Sequence, residues 1–271
     1  MSGHRGVVDA RWLRTNRTRR DVILVDVRWS MDPPPGRERY AVGHIEGAHF
    51  LDLDTQLSAP VGAGPGRHPL PTAEDFARAL ASVGVDRHMT VVCYDDRGGA
   101  IAARLWWLLR YFGAPVDAVI LDGGLQAWSA LGEPLSTATP EARPTVPMSL
   151  APRDWMVVDR EGVRDALEAG ALVLDARGRN RYRGEIEPID PRPGHIPGSL
   201  SAPYVENLKA SHSPLLPLEA LRSRYERLGA VGSDDDRDVI CSCGSGVTAC
   251  HDIWALHLLG RTNTKLYEGS W

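Results

Sequence analysis

The sequence predicts an α/β protein with two tandem domains, each a parallel sheet flanked by helices on both faces. Three observations lead to this prediction: the length of the chain, an internal duplication, and the alternation of short apolar runs with helical stretches. The chain has 271 residues, more than the roughly 100–150 residues of an ordinary domain. Each half is therefore long enough to bury a hydrophobic core of its own.

Five blocks of the sequence occur twice, in the same order and at a nearly constant separation along the chain. Chance explains this order poorly, whereas an internal duplication explains it directly. The paired blocks are VVDARWL with VVDREGV, ILVDVR with LVLDAR, RYAVGHIEGAHF with GHIPGSLSAPY, VVCYDDRGGAIAARLWWLLRYFG with VICSCGSGVTACHDIWALHLLG, and ILDGG with LYEGS. We therefore predict two copies of one domain.

The copies are separated by a segment rich in Pro, Ser and Thr, which suits neither helix nor strand. We predict a first domain at residues 1–135, a linker at 136–152 and a second domain at 153–271. The similar segment VGAGPGRHPLP, at 61–71, falls inside the first copy and is predicted to be a surface loop there. The first copy continues after ILDGG into a short helix, whereas the second stops at Trp271. We therefore expect the last element of the second copy to be missing from this sequence.

Within each copy, apolar runs of strand length alternate with helical stretches. In the second copy WMVVD, ALVLDA and DVICSC are apolar throughout, which is typical of strands covered on both faces of a parallel sheet. Between them, Glu161 to Gly170 and Pro217 to Gly232 have helical spacing, and Gly232 is predicted to stop the second helix. Strands that alternate with helices predict parallel sheets, with the chemistry at the carboxyl ends of the strands.

The composition argues against membrane insertion and nucleic-acid binding. Hydrophobic residues make up 43% of the chain and charged residues 24%, as in globular proteins. No apolar run approaches the roughly 20 residues of a membrane span. The net charge is −4 and no basic tract is present, whereas phosphate binding requires clustered Lys and Arg.

The N-terminal segment and the cysteines indicate a reducing compartment. The basic cluster near the N-terminus is not followed by an apolar segment, so it does not resemble a secretory signal. Four cysteines, three of them close together, do not form a disulfide framework. We therefore expect a cytoplasmic protein with reduced thiols.

Three cysteines lie in the segment CSCGSGVTAC, at 241–250. Aligned on Gly98 and Gly246, the loop reads YDDRGGAI in the first copy and SCGSGVTA in the second, so that Asp95 corresponds to Cys243. The copies thus differ at the one position that could hold a nucleophile. We predict that the first copy is catalytically silent and that Cys243 in the second copy carries the reaction.

The residues after Cys243 predict a site for an anion. Gly244 and Gly246 allow the backbone to curl so that successive N–H groups point inward, and the first turn of the following helix adds unpaired donors. Such a nest attracts an anion. The anion that the protein itself can supply is the Cys243 thiolate. The loop is therefore predicted to surround a reactive sulfur.

The neighbouring cysteines have simpler interpretations. Cys241, on the preceding strand, is predicted to pack in the core; a redox partnership with Cys243 is the alternative, although C-x-C closes a strained ring. Cys250 is also predicted to be a core residue. Zinc would need four ligands, and these cysteines with His251 lack the usual paired spacing. We expect neither a metal nor a cofactor.

Two histidines recur at equivalent places, His44 in HIEGA and His195 in HIPGS. Because both copies contain one although only one copy should be active, we predict a structural role in the turn after the preceding tyrosine. An approach of His44 to the site across a domain interface is the alternative.

The chain resembles, over essentially its whole length, the tandem-domain rhodanese family of thiosulfate and 3-mercaptopyruvate sulfurtransferases. The resemblance implies two rhodanese-like domains, the first silent. Thiosulfate-preferring members tend to place cationic side chains just after the cysteine, whereas CGSG resembles the mercaptopyruvate-preferring type. The motifs that carry the resemblance are HIEGA, HIPGS, the strand ends DVR and DAR, YEGSW, and above all CGSGVTA.

The resemblance also implies a mechanism. Cys243 would attack the donor's sulfur, pyruvate would leave, and the Cys243 persulfide would pass its outer sulfur to cyanide, a thiol or another protein, with a reducing protein such as thioredoxin as a candidate partner. Backbone N–H groups would stabilise the thiolate and the persulfide. The loop residues that supply them are Gly244, Ser245, Gly246, Val247 and Thr248.

Arg181, in RYRGE, matches the family position that binds the donor's carboxylate or sulfonate group. A second Arg is expected a few residues after the Glu-Pro pair, but Ile189 and Asp190 stand there and Arg192 comes late. Arg181 also has a counterpart in the first copy, Arg39, which favours a partly structural role. The donor therefore stays open between mercaptopyruvate and thiosulfate.

Two alternative functions have to be compared with sulfur transfer. A cysteine phosphatase uses the same strand, loop and helix but needs an Arg six residues after the cysteine to clamp phosphate, and position 249 is Ala. A non-enzymatic carrier, whose persulfide delivers sulfur to a protein partner, is compatible with every residue discussed.

Overall fold

The computed structural model describes residues 6–141, 143–232 and 237–269. These residues form two similar α/β units joined by an extended segment, and each unit is built on its own five-stranded sheet in which all strands are parallel. Helices cover both faces of each sheet. The predicted fold class is confirmed.

The first unit has the strand order β1-β6-β5-β2-β4, and β3 pairs with β7 in a separate antiparallel ribbon. Its elements are β1 (Val7–Val8), α1 (Ala10–Asn16), β2 (Val22–Asp26), α2 (Gly36–Val42), β3 (His44–Ile45), β4 (Ala48–Phe50), α3 (Ala73–Ser82), β5 (Thr90–Tyr94), α4 (Ala102–Tyr111), β6 (Asp117–Leu121), α5 (Gly124–Ala130) and β7 (Leu135–Ser136).

The second unit has the strand order β10-β9-β11-β12-β8. Its elements are β8 (Val157–Val158), α6 (Arg160–Glu168), β9 (Leu172–Asp175), α7 (Arg179–Tyr182), β10 (Leu200–Ser201), α8 (Leu218–Arg227), β11 (Val239–Ser242), α9 (Ala249–Leu258) and β12 (Lys265–Tyr267), with short 3-10 turns at Asp154–Met156 and Tyr204–Asn207. Ser270 and Trp271, the end of the YEGSW motif, lie outside the described residues.

Central strands β5 and β11 are buried along their whole length because helices cover both faces. Their sequences are therefore continuously apolar, as predicted. Each is followed directly by a short loop and a buried helix, α4 or α9. This strand, loop and helix unit sets the position of Asp95 in the first copy and of Cys243 in the second.

One Asp–Arg ion pair, present in both copies, stabilises the carboxyl end of each sheet. Asp26 pairs with Arg28, which also donates to the carbonyl of Gly43 at 2.7 Å. Asp175 pairs in the same way with Arg177, at 2.7 Å. The motifs DVR and DAR are thus parts of the scaffold.

Helix α8 ends earlier than the sequence predicted. It stops at Arg227, and Gly229 rather than Gly232 adopts the left-handed conformation, with φ of 73°. Glycine is favoured there because a left-handed residue after the last turn closes the helix. The linker at 136–152 stays a prediction; its first residue, Ser136, is the last residue of strand β7, which pairs with β3.

The two units share one continuous apolar core. Helices α4 and α9 pack against each other across the interface, with Trp106 and Trp254 fully buried. The indole N–H of Trp254 donates to the carbonyl of Gly6 at 2.8 Å. The site loops of both copies therefore lie at the junction between the units. No helix among the described residues is long and apolar enough to cross a membrane.

Candidate functional site

Cys243 is the first residue after strand β11 and lies at the carboxyl end of the second sheet. Its side chain is only 1% exposed. The backbone N–H of Ser245 donates to its Sγ at 3.5 Å. Gly246 has φ of 70°, which glycine adopts without the steric cost that other residues incur. The loop thus brings one backbone N–H to the sulfur, and the wider ring of donors stays a prediction.

The first copy shows what this loop is built to hold. Asp95 is fully buried and accepts four backbone hydrogen bonds. Its Oδ1 accepts from the N–H groups of Arg97 and Gly99, at 2.8 and 2.9 Å, and its Oδ2 from those of Ile101 and Ala102, at 2.7 and 2.9 Å. The loop is therefore a nest for an anion, and in the first copy the carboxylate of Asp95 fills it.

The same positions in the second copy surround Cys243. Aligned on the loop glycines, the four donors of the first copy correspond to the N–H groups of Ser245, Val247, Ala249 and Cys250. Of these, the N–H of Ser245 donates to Sγ of Cys243, whereas the N–H of Cys250 donates to the carbonyl of Val247 at 3.1 Å. A carboxylate oxygen lies one atom beyond Cγ, as the outer sulfur of a cysteine persulfide lies one atom beyond Sγ. A persulfide on Cys243 would thus place its outer sulfur at the position along the side chain that an Asp95 carboxylate oxygen holds in the first copy.

This comparison extends the predicted set of loop residues. Sequence analysis named Gly244 to Thr248 and predicted further donors in the first turn of the following helix. The first copy points to Ala249, which aligns with Ile101, as one of these donors.

Arg104 of helix α4 crosses from the first copy to this loop. Its side chain is fully buried, with Nη1 donating to the carbonyl of Gly246 and Nη2 to the carbonyl of His68, each at 3.0 Å. Burial lowers the pKa of Arg104, and the nearby groups that oppose this include Cys250, Glu268 and Cys243. A buried cation therefore lies beside the thiol. Sequence analysis missed it because its partners are distant in the chain.

The two neighbouring cysteines are buried thiols. Burial raises the pKa of Cys241 well above its usual range and that of Cys250 to about 12. Both therefore stay protonated at neutral pH. Cys250 donates through Sγ to the carbonyl of Gly246 at 3.3 Å. Their positions agree with the predicted packing role.

Arg181 lies where the resemblance placed it, beside the loop, but it already has acidic partners. Its guanidinium donates to Glu187 at 2.8 to 3.1 Å and to Oδ2 of Asp190 at 2.6 Å. Glu187 also accepts from the backbone N–H groups of Ile189 and Asp190. Arg192 lies elsewhere, in a groove along helix α6, so it is not the second arginine of the site.

The loop at 61–71 is more than the surface loop that the sequence predicted. Arg67 reaches the second copy and pairs with Asp190, and the N–H of Leu70 donates to Glu268 at 3.1 Å. This segment could not be placed from sequence because its partners lie in the other copy. It forms one wall of the site.

His68 brings a further titratable group to this wall. Its Nε2 is 3.0 Å from Oδ1 of Asp54, and its Nδ1 is buried without a hydrogen-bond partner among the residues that the structure describes. Burial lowers the pKa of His68, while Asp54 opposes the shift. His68 was not among the predicted site residues.

The repeated histidines are scaffold residues, as expected. His44 stacks on Tyr40 with ring centroids 3.9 Å apart, and its Nδ1 is 2.8 Å from the Tyr40 carbonyl. His195 stacks on Tyr182 at 3.8 Å with the same backbone contact, at 2.7 Å. The approach of His44 to the site is not observed.

Comparison with known proteins agrees with this geometry. A sequence model described as a rhodanese-like domain matches residues 9–131 and again 159–271. The chain is 42% identical over 254 residues to a protein of Pseudomonas aeruginosa named "Probable 3-mercaptopyruvate sulfurtransferase", covering 93% of this chain and 88% of that protein. It is 35% identical over 280 residues to the 3-mercaptopyruvate sulfurtransferase of Homo sapiens, covering 98% and 91%.

A solved structure has the same fold over the full chain. The 3-mercaptopyruvate sulfurtransferase from Leishmania major superposes with a TM-score of 0.86 and 32% identity, covering 100% of this chain and 74% of that one. The matches to a duplicated domain, to curated relatives and to a solved structure agree with each other and with the site. The chain belongs to the rhodanese family and is a sulfurtransferase with two rhodanese-like domains.

Proposed function

We propose that the protein moves sulfur from 3-mercaptopyruvate to a thiol or cyanide through a persulfide on Cys243. The observation that carries this proposal is the anion nest that Asp95 fills in the first copy and that surrounds Cys243 in the second. Residues 153–271 carry the nucleophile, and residues 1–135 supply Arg67, His68 and Arg104 to the site.

In the first half-reaction the Cys243 thiolate attacks the thiol sulfur of the donor. An S–S bond forms, the C–S bond breaks, and pyruvate leaves as an enolate that takes up the proton released from the donor's thiol group. The persulfide then carries its negative charge on the outer sulfur, where backbone N–H groups stabilise it without reorganisation. The loop residues assigned to this role are Gly244, Ser245, Gly246, Val247 and Thr248, together with Ala249.

In the second half-reaction an acceptor attacks the outer sulfur. Cyanide takes the sulfur as thiocyanate, and a thiolate takes it as a new persulfide, leaving the Cys243 thiolate in either case. A low-pKa protein thiol such as that of thioredoxin is a suitable acceptor. All four cysteines are free and buried, which fits a reducing compartment such as the cytoplasm.

Arg181 supports a carboxylate donor. Its guanidinium lies beside the residue that follows Cys243, so that a donor anion bound there leaves its sulfur near Sγ. The loop itself is neutral, since Gly244 and Gly246 flank Ser245. A monoanionic 2-oxo acid therefore fits better than the thiosulfate dianion.

A comparison of kcat/KM for the two donors tests this assignment, because the ratio measures differential stabilisation of the transition states. We expect mercaptopyruvate to exceed thiosulfate by at least about tenfold, which corresponds to roughly 1.4 kcal/mol. An equal or larger kcat/KM for thiosulfate would overturn the choice of donor.

A further inference from the structure

Three charged side chains lie over Gly244, the residue after the nucleophile. A methyl group built on Gly244 would lie 3.0 Å from Nη2 of Arg67, 3.2 Å from Oδ2 of Asp190 and 3.4 Å from Nη2 of Arg181. Two cations and one carboxylate thus meet directly beside the Cys243 loop. Arg67 comes from the first copy, and the other two come from the second.

Asp190 is shared by both arginines. Its Oδ1 pairs with Nη1 of Arg67 and its Oδ2 with Nη2 of Arg181. The side chain of Asp190 is 6% exposed, whereas that of Arg67 is 35% exposed. Within the described part of the chain, Nη2 of Arg67 and Nη1 of Arg181 donate no hydrogen bond. The cluster therefore retains donors for a second anion.

The first copy places a carboxylate at the corresponding point. Asp96 corresponds to Gly244, and its Oδ2 is 3.5 Å from Nη1 of Arg39, the counterpart of Arg181. In the second copy Gly244 has no side chain, and Asp190 reaches in from a segment between Tyr182 and His195 that is longer than its first-copy equivalent. Both copies thus hold a carboxylate beside this arginine, but only in the second does it come from outside the loop.

The backbone around Asp190 does not need to move for its side chain to leave. Glu187 is 4% exposed and holds the backbone N–H groups of Ile189 and Asp190, at 3.1 and 2.9 Å. The turn is therefore fixed by Glu187 and not by the Asp190 carboxylate. Rotation of one side chain exposes Arg67 and Arg181 to an incoming anion.

We propose that Asp190 is a displaceable internal anion that occupies the donor's carboxylate position, and that Arg67 from the first copy completes this position together with Arg181. This inference rests on the proposed function and adds to it a specificity-determining pair, Arg67 and Asp190. Asp190 competes with the donor's carboxylate for the two guanidinium groups, and Arg67 binds the donor. A planar guanidinium matches a carboxylate, so the pair selects 2-oxo acids.

Pyruvate binding tests the proposal, because pyruvate has the donor's carboxylate and no sulfur to transfer. Isothermal titration of the full chain should show about tenfold tighter binding for Asp190→Asn and about tenfold weaker binding for Arg67→Gln, the change expected for one charged hydrogen bond. Arg192→Gln, whose side chain lies in the groove along α6, is the matched control and should bind as the wild type does.

The opposite signs separate this role from a structural ion pair. If Arg67 and Asp190 only joined the two copies, both variants would change pyruvate affinity in the same direction or leave it unchanged, and either result would overturn the proposal. So would a wild type that binds no pyruvate. Should Arg67→Gln fail to fold, Arg67→Lys, which keeps the charge and loses the planar fork, should still weaken binding severalfold.

A second measurement separates this inference from the proposed function. The wild type is mixed with 3-mercaptopyruvate, and sulfur loading of Cys243 is followed by mass spectrometry. If loading occurs but the variants bind pyruvate equally, the inference fails and the function stands. If no loading occurs although the variants shift pyruvate affinity in opposite directions, the function fails and the anion site stands.

Discussion

Arg104 is the residue that connects the silent copy most directly to the nucleophile. It donates to the carbonyls of Gly246 and His68 and lies among Cys243, Cys250 and Glu268. Holding the Gly246 carbonyl away from the sulfur leaves the loop N–H groups directed toward it. We regard Arg104 as a positioning residue for the nest.

Arg104→Met keeps an unbranched apolar stem in place of the arginine methylenes but removes the charge and both hydrogen bonds. We expect the single-turnover rate of persulfide formation to fall by about ten- to a hundredfold, since a hydrogen bond from a charged group contributes roughly 1.5–3 kcal/mol. Rapid-quench mass spectrometry measures this rate. Arg110→Met, on the same helix and stacked on Trp106 at 5.0 Å, should retain the rate. Equal rates for wild type and Arg104→Met, with both folded, would contradict this role.

Asp252 is a buried acid of the second copy at the position that Arg104 has in the first. Burial raises the pKa of Asp252 to about 7, while the charge of Arg224 opposes the shift. An unfolded aspartate has a pKa of about 3.9. Because the folded state binds this proton more tightly, the stabilisation from Asp252 is full below about pH 4 and is lost as the pH rises to about 7.

Asp252→Asn removes this titration and keeps the acceptor for Asn207 and Tyr225, which contact Oδ1 at 2.8 and 3.0 Å. The variant's stability relative to wild type should therefore increase between about pH 4 and about pH 7, as measured by urea unfolding at several pH values. Asp165→Asn, at an exposed site, is the control. A stability difference that stays constant with pH would refute the assignment.

At the scale of elements, the unit that matters is strand, loop and helix: β5 with α4 in one copy and β11 with α9 in the other. The order of strand, loop and helix is kept in both copies, and Gly98 and Gly246 have the same left-handed φ, of 69° and 70°. In the first copy the carboxylate of Asp95 satisfies four N–H groups. In the second copy the Cys243 thiol accepts one backbone hydrogen bond before it carries sulfur. Other N–H groups of the loop are thus left for the persulfide.

This comparison predicts that Asp95 stabilises the fold although it takes no part in sulfur transfer. Asp95→Ala should lower the free energy of unfolding by about 3 kcal/mol or more, because each buried donor left unpaired costs roughly 1–3 kcal/mol. Urea denaturation measures the loss, and Asp86→Ala, an exposed aspartate ahead of β5, is the control. A loss as small as that of Asp86→Ala would show that the nest does not need an anion.

At the scale of the whole molecule, the duplication divides the work between the copies. The second copy supplies Cys243 and its loop. The first copy supplies Arg67, which pairs with Asp190, and Arg104, which donates to the Gly246 carbonyl, across the interface. A continuous core across α4 and α9 holds these groups in place. The silent copy is therefore part of the site.

The sequence predicted the parts of this arrangement that local pattern and the repeat determine. Continuous apolar runs identified the buried strands, and the exchange of Asp95 for Cys243 leads to the prediction that Cys243 is the nucleophile. The sequence did not predict Arg67, His68 and Arg104. Their roles depend on packing between the copies, and such packing leaves no local pattern in the sequence. The resemblance assigned Arg181 to the donor's carboxylate or sulfonate group, and this role stays a prediction. The pairing of Arg181 with Glu187 and Asp190 follows from a turn that no motif describes.

The central claim is that Cys243 alone carries the transferred sulfur. Peptide mass spectrometry of the full chain, after reaction with one equivalent of 3-mercaptopyruvate and digestion in acid, measures this directly. We predict the added mass of one sulfur atom on Cys243 and none on Cys93, Cys241 or Cys250, together with loss of turnover in Cys243→Ser. Sulfur on another cysteine, or full turnover by the Cys243→Ser variant, would contradict the account.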